Sequence, residues 1–330
     1  MAGSGVKVVV SAIAGNSFIT VIKFIGWFVS QSPSLLAEAI HSLADTLNQI
    51  LLFIGLKTSE KEPTRDMPTG SGGSRYLWNL ISAVGIFFLG FGVTAFHGMH
   101  GLISGHYDPR PISWIGIGVL IVSLIIEMYV LIQAYKEVKI QKGNRGFVDF
   151  FKESDDPTIV AVLLEDGVAV LGVLMALVGI ILGHVFGNAL FDIIASLIIA
   201  LLLGFLAIAL GVINSKLLIG KSVTIHKEEE FREFLETLSE ISRIETLSTK
   251  IIGAGKVRLS VEVELNGDAL IDHNALNNDI KGIETGEEIA KVLHNSNKRM
   301  VRITGNTINE IELKIVEKFP EVSIIDFEVN

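Results

Sequence analysis

Two stretches of the sequence place ionisable side chains inside apolar surroundings. In Ser34 to Gln49, SLLAEAIHSLADTLNQ, the residues Glu38, His41, Asp45 and Asn48 recur at three- and four-residue spacing. On a helix advancing about 100° per residue they form one polar stripe on an otherwise greasy rod. In Val160 to Gly172, VAVLLEDGVAVLG, Glu165 and Asp166 are the only charges for many residues. A charge at the centre of a bilayer costs roughly 3 kcal/mol or more, so groups placed there point to function. His41 and Asp45 are four residues apart, and one helix can present both to the same ion. An imidazole and a carboxylate suit zinc and other first-row divalent ions, and zinc prefers four ligands. Either or both of Glu165 and Asp166 are candidates to complete the set; the plain alternative is that these groups only hydrogen-bond helices together. A histidine must lose its proton to bind a metal. A bundle that opens alternately to each side would therefore release metal outward and carry protons inward, which is antiport by competition for the same ligands.

The elements that position these residues are legible from composition. The 330 residues are 49% hydrophobic with a mean hydropathy of +0.53, too apolar on average for an ordinary soluble protein. The excess lies before about residue 220; Lys221 to Asn330 has the charge density of a water-soluble domain. We expect a six-helix membrane domain over 1–215 and a cytoplasmic domain over 216–330. The net charge of −9 is no nucleic-acid footprint, so nucleic acid is excluded as a partner. The chain has no cysteine, which removes thiolate ligands, disulfides and cysteine nucleophiles. No nucleophile–base arrangement, phosphate loop or metalloprotease signature occurs, so no enzyme is expected and no resident cofactor. The N-terminal MAGSGVKVVV runs into an apolar segment without a small-residue cleavage site, and reads as a retained first span.

Six runs are long enough to cross a bilayer, at about 6–30, 34–56, 77–104, 112–136, 158–184 and 190–213. The loop from Lys57 to Arg75 carries Lys57, Lys61, Arg65 and Arg75, and the one from Lys136 to Lys152 carries Lys136, Lys139, Lys142, Arg145 and Lys152. The loops at 31–33 and 185–189 carry no Lys or Arg, and 105–111 only Arg110. The positive-inside rule thus puts both termini in the cytoplasm, and the compact form suits a prokaryotic inner membrane. Lys23, deep in the first span, requires a partner, and Glu38 is the candidate. Glu127 is expected to pair with a loop lysine. His97, His100 and His106, at the outer end of the third span, are either a transient metal station or ordinary interfacial histidines. Asp192 and Ser196 are expected to cap a helix or to hydrogen-bond between helices.

Beyond the membrane, His226 to Glu240 reads as an amphipathic helix. Arg243 to Ile252 and Lys256 to Leu265 read as a hairpin through Gly253-Ala254-Gly255, the second strand strictly alternating. A helix over Thr285 to Lys318, with a break near Gly305, and a strand over Val322 to Val329 complete an α+β fold of the ferredoxin-like kind. Asn266 to Gly286 is expected to be a polar, solvated loop, against the alternative that Asp272 and His273 form a surface metal-ligand pair.

The run SLLAEAIHSLADTLNQ, the Asp of LLEDGVAVLG, the sixth-span LFDIIASLIIALLLG and the strand in GAGKVRLSVEVEL resemble the cation diffusion facilitator family of divalent-metal transporters, over essentially the whole chain. The resemblance implies six spans, a cytoplasmic ferredoxin-like domain used for regulation or dimerisation, a homodimer in the lipid bilayer, and proton-coupled export of Zn²⁺ or a related ion. It places the second-span ligands on His41 and Asp45 and one fifth-span ligand on Asp166. At the remaining position, where the family has His or Asp, this chain has Val162. Glu165, about 60° from that direction and longer, is the substitute candidate. One imidazole with up to three carboxylates makes a harder site, narrowing zinc's advantage over Mn²⁺ or Fe²⁺ without removing it. In the cytoplasmic domain His226 is the candidate ligand, against a metal-free domain. The alternative to transport is a transport-inactive metal-binding or regulatory subunit acting through partner contacts.

Overall fold

The computed structural model describes residues 2–105, 113–142, 146, 157–253, 255–281, 283 and 285–330. His106, Arg110, Arg145, Lys152 and Ala254 lie outside them. The chain divides into two compact units, Met1–Ile219 and Gly220–Asn330.

The first unit is six apolar helical spans. These are α1 (Ala2–Ser30), α2 (Pro33–Ser59), a third span made of α3 (Ser74–Gly85), a π-helical stretch (Ile86–Val93) and α4 (Thr94–Ser104), then α5 (Trp114–Lys142), α6 (Pro157–Val185) and α7 (Leu190–Ile219). The turn into α2 is fixed locally: the Ser32 side chain accepts from the Leu35 amide and Pro33 opens the helix, where its missing N–H costs nothing. Gly105 ends α4 and Gly187 lies between α6 and α7, both at left-handed φ (66° and 61°) that favours glycine.

Helix α2 lies at the centre, packed against α1, the third span, α6 and α7, while α5 packs on α1 and α6. Its neighbours meet it through small or well-fitted residues. Leu35, Ala37 and Ala44 join Ile86, Leu120, Val173, Ala176 and Leu203 in one apolar core. At Gly179 an added Cβ would come within 2.5 Å of Ala195, so α6 and α7 approach closely only because that position is glycine. Polar ties cross the same helices: the hydroxyls of Thr20 and Thr46 lie 3.1 Å apart, and Asp192 of α7 accepts from the Ser34 amide at 3.3 Å and from the Ser34 hydroxyl. Ser196 behaves differently from the expectation. Its hydroxyl donates to the Ile193 carbonyl of its own helix at 2.7 Å, a local bond that satisfies it without a neighbour.

Besides Tyr76 and Ala83, the third span buries a row of every fourth residue, Ser82, Ile86, Gly90, Thr94 and Gly98. An α-helix drifts about 40° at each such step. The π-helical stretch, with its wider i→i+5 turn, absorbs that drift and keeps the row inward.

The second unit contains α8 (Ile225–Glu236), β1 (Ile241–Gly253), β2 (Lys256–Leu265), a 3₁₀ turn (Gly267–Leu270), α9 (His273–Ile280), α10 (Gly286–Lys318) and β3 (Val322–Val329). The sheet order is β1-β2-β3, with β2 antiparallel to β1 and parallel to β3; Val261 pairs with Leu247 on one side and Phe327 on the other. The alternation in β2 buries Val257 and turns Leu259, Val261, Val263 and Leu265 into a core with Phe231, Leu235, Ile311, Ile315 and Phe319. With the six spans, this α+β unit realises the expected fold class. Two details differ. Asn266 to Gly286 is not simply a loop: Asp272 caps α9 by accepting from the Ala275 amide at 2.9 Å, which nucleates a short helix from a polar stretch. And α10 runs unbroken through Gly305, started by a capping box between Thr285 and Glu288.

Candidate metal site

Helix α2 buries the whole run from Pro33 to Ser42, then Ala44, Thr46 and Asn48, so its polar stripe faces protein and not lipid. His41 is 1% exposed, with Nε2 3.5 Å from an Asp45 carboxylate oxygen one turn on. At that distance the pair is electrostatic, and neither ring nitrogen of His41 has a hydrogen-bond partner. Asp45 Oδ1 and, on α6, Asp166 Oδ2 are also buried and unpartnered. Asp45 interacts electrostatically with both Glu165 and Asp166, which brings the α2 and α6 groups into one region.

Glu165 is held differently from the other three. Its Oε1 accepts from Asn48 Nδ2 at 3.0 Å, and Asn48 Oδ1 in turn accepts from the Ser82 hydroxyl at 2.6 Å. A hydrogen-bonded line thus runs from the third span through α2 to α6. Beside it lies a cavity of about 30 Å³, room for a water or two, lined by Asn48, Asn79, Val162, Glu165 and Asn214 among others. Val162 therefore gives that cavity an apolar wall next to a carboxylate. Among the described residues, no three His, Asp or Glu side chains lie close enough together to hold one metal ion. His41 and Asp45 are adjacent, Asp166 and Glu165 stand in their field, and the set is not closed around a common point.

A second polar cluster adjoins the first. Lys23 of α1 is fully buried and donates to Glu38 of α2 at 2.8 Å and to Glu127 of α5 at 2.7 Å. The Glu38 pairing is as expected; that of Glu127 is a correction. Because α5 packs on α1, Glu127 reaches an intramembrane lysine 104 residues away in sequence and not a loop lysine. Glu38 Oε1 lies directly over Gly172 of α6, where any Cβ would collide with it.

The remaining candidates stay local. His100 packs its ring near Phe96, 6.3 Å between centroids. His226 is 85% exposed by its side chain, 3.5 Å from Glu230 of its own helix. Sequence reasoning did not single out Ser82, Asn79, Asn214 or Gly172. The signal for the first two was present, since Asn79 and Ser82 are polar groups three residues apart in an apolar span.

Six membrane-crossing helices around a buried histidine–carboxylate cluster, followed by a small α+β unit, define a multi-pass integral membrane protein with its ionisable groups inside the bundle. The cation efflux transmembrane domain matches residues 9–219, and the chain belongs to the cation efflux, or cation diffusion facilitator, family, a family of transporters and not of enzymes. It is 32% identical over 335 residues to the human proton-coupled zinc antiporter SLC30A9, mitochondrial, covering 98% of this chain and 58% of the relative. It is 30% identical to metal tolerance protein C4 of Arabidopsis thaliana, over 98% of this chain and 73% of that protein. The manganese efflux system protein MneP of Bacillus subtilis is 25% identical, over 89% of this chain and 91% of its own length. The chain thus spans less than two thirds of the human relative.

Proposed function

We propose that this protein is a proton-coupled antiporter that exports a divalent cation from the cytoplasm, with Zn²⁺ the first substrate and Mn²⁺ or Fe²⁺ next, held by His41, Asp45, Asp166 and Glu165. The observation that carries the reading is a set of buried polar atoms without partners on two adjacent helices: the His41 ring nitrogens, one of which is a free acceptor in the neutral ring, Asp45 Oδ1 and Asp166 Oδ2. Each such group costs about 1–3 kcal/mol while unsatisfied, and a cation drawn between the two helices would take the acceptor nitrogen of His41 together with the two carboxylates.

Asp45 and Asp166 supply charge from opposite helices, and His41 supplies the nitrogen that favours zinc. Glu165, oriented by Asn48 beside the small cavity, receives the ion and completes its shell. A metal bound by neutral imidazole and carboxylates competes with protons for the same atoms, so its departure is matched by proton uptake. The basic loops support a cytoplasmic placement of both termini; a prokaryotic inner membrane and a homodimer served by the second unit belong to the same proposal. The names of the similar proteins, a zinc antiporter and a manganese efflux protein, bracket the substrate range expected of one imidazole with three carboxylates. Flux of Zn²⁺ and Mn²⁺, alone and in competition, into sealed proteoliposomes under a pH gradient tests this. Movement of zinc in preference to manganese, driven by the gradient, is expected; movement of neither ion would leave a transport-inactive subunit.

A further inference from the structure

The cluster of Lys23, Glu38 and Glu127 is not accounted for by metal binding. Two carboxylates share one ammonium, and the side chains are 0%, 0% and 13% exposed. Each carboxylate spends one oxygen on Lys23. The other oxygen of each, Glu38 Oε1 and Glu127 Oε2, is buried and has no hydrogen-bond partner. Fully ionised, the cluster would carry one uncompensated negative charge and two unsatisfied acceptors inside the membrane. One proton on either carboxyl removes the excess charge and turns an orphan acceptor into an O–H.

The surroundings tie that proton to the cation site. Glu38 stands one turn before His41 on α2 and interacts electrostatically with it. Glu127 interacts in the same way with Asp45 and with Asp166 of α6. Glu38 also rests on α6 at Gly172, six residues beyond Asp166. The charged or titratable groups facing the cluster are therefore Lys23 from α1, His41 and Asp45 from α2, and Asp166 from α6, while α5 contributes Glu127 itself. A divalent ion arriving among His41, Asp45 and Asp166 repels a proton here across the same low-dielectric interior.

We infer that Lys23, Glu38 and Glu127 form a proton-binding site separate from the metal ligands, at which one proton shared by the two glutamates is released as the metal binds and regained as it leaves. In the release step the carboxyl O–H bond breaks and its electron pair stays on oxygen. The proton passes to water on the side to which the bundle is then open. Lys23 keeps its charge throughout and fixes where the proton sits. The coupling to metal rests on the transport reading above; the presence of the proton in the metal-free protein does not.

Two measurements on the full chain in lipid nanodiscs separate these. Infrared difference spectra of metal-free protein, taken in a Glu165→Gln background, should contain a protonated-carboxyl band that shifts on ¹³C-glutamate labelling and disappears with Glu127→Gln. Absence of that band from the parent overturns the inference, whatever the protein transports. Calorimetric titration with Zn²⁺ in buffers of different ionisation enthalpy should give about one proton fewer released per zinc for Glu127→Gln than for wild type, with zinc still bound; the same is expected for Glu38→Gln. Equal proton release in wild type and both variants overturns the coupling. If the wild type binds no zinc, the transport reading fails while the infrared band still decides the proton site. Should a Gln variant not fold, Glu127→Asp is the substitute, expected to retain both the band and the proton release.

Discussion

Arg258 and Asp326 of the second unit meet at 2.5 Å on neighbouring strands, with Ser260 donating to the same carboxylate at 2.8 Å, and both side chains remain a third or more exposed. Lys23, Glu38 and Glu127 of the first unit meet at similar distances with almost no exposure. The strand pair has water for every lone pair that protein leaves free. The membrane triad is almost closed to solvent, and among the described residues every buried side-chain polar atom without a partner lies in the first unit. A surface pair is worth at most about 1 kcal/mol, whereas an unmatched group inside a bilayer is a standing demand for a ligand. In this chain, chemistry is marked by acceptors left over, not by ion pairs formed.

The sharpest way to break the contrast is to remove an unpartnered acceptor. Asp45→Ala and Asp166→Ala should each reduce zinc flux in proteoliposomes to the level of empty vesicles while leaving the fold intact by size-exclusion chromatography. Near-normal flux in either would detach those atoms from transport. Next is Lys23→Met, which leaves two buried carboxylates without their cation and should destabilise the protein by about 3–5 kcal/mol in denaturant titrations of the detergent-solubilised chain. Adding Glu127→Met should recover part of that loss, because the second change removes one of the stranded charges.

Glu165→Ala should weaken zinc binding by about 10–100-fold in equilibrium titration, and Asn48→Leu should weaken it by less, about 10-fold, by freeing the carboxylate it orients. Unchanged affinity in Glu165→Ala would mean that water supplies the fourth ligand. The smallest effect belongs to the surface pair. Hydrogen bonds from Arg258 first, and then from Ser260, hold the Asp326 carboxyl below its ordinary value. A carboxyl depressed by folding adds stability that is present above its unfolded pKa and lost as pH falls through the folded one. Asp326→Asn should therefore speed hydrogen exchange of β3 amides at neutral pH by an amount equivalent to less than about 1 kcal/mol, and the difference should shrink below about pH 4.

Much of this was readable from residue order alone. Runs of twenty apolar residues announce spans because a bilayer leaves the backbone no other way to satisfy itself. The stripe on α2 is visible because Glu38, His41 and Asp45 stand at helical spacing. Pairings between distant segments are not visible there: Glu127 sits nearer the basic loop that follows α5 in sequence, and only the packing of α5 on α1 turns it toward Lys23. Asn48 reads as one more polar residue until Ser82 and Glu165 are seen to flank it. Helix α9 is hidden in the sequence for a different reason. It buries nothing, so no periodic pattern marks it, and a single capping aspartate defines its start.

The wide turn in the third span has a mechanical meaning. Ser82 touches α2 at one end of the row and Gly98 touches Leu197 of α7 at the other. Sixteen residues of ordinary winding would point those two contacts about 160° apart. The segment Ile86–Val93 works as a phase adjuster between the span's two halves: tightening it toward regular winding would swivel one end against the other without bending the rod. A rotation at the Gly98 end would thereby be geared to the hydroxyl that steers Asn48 and, through it, Glu165.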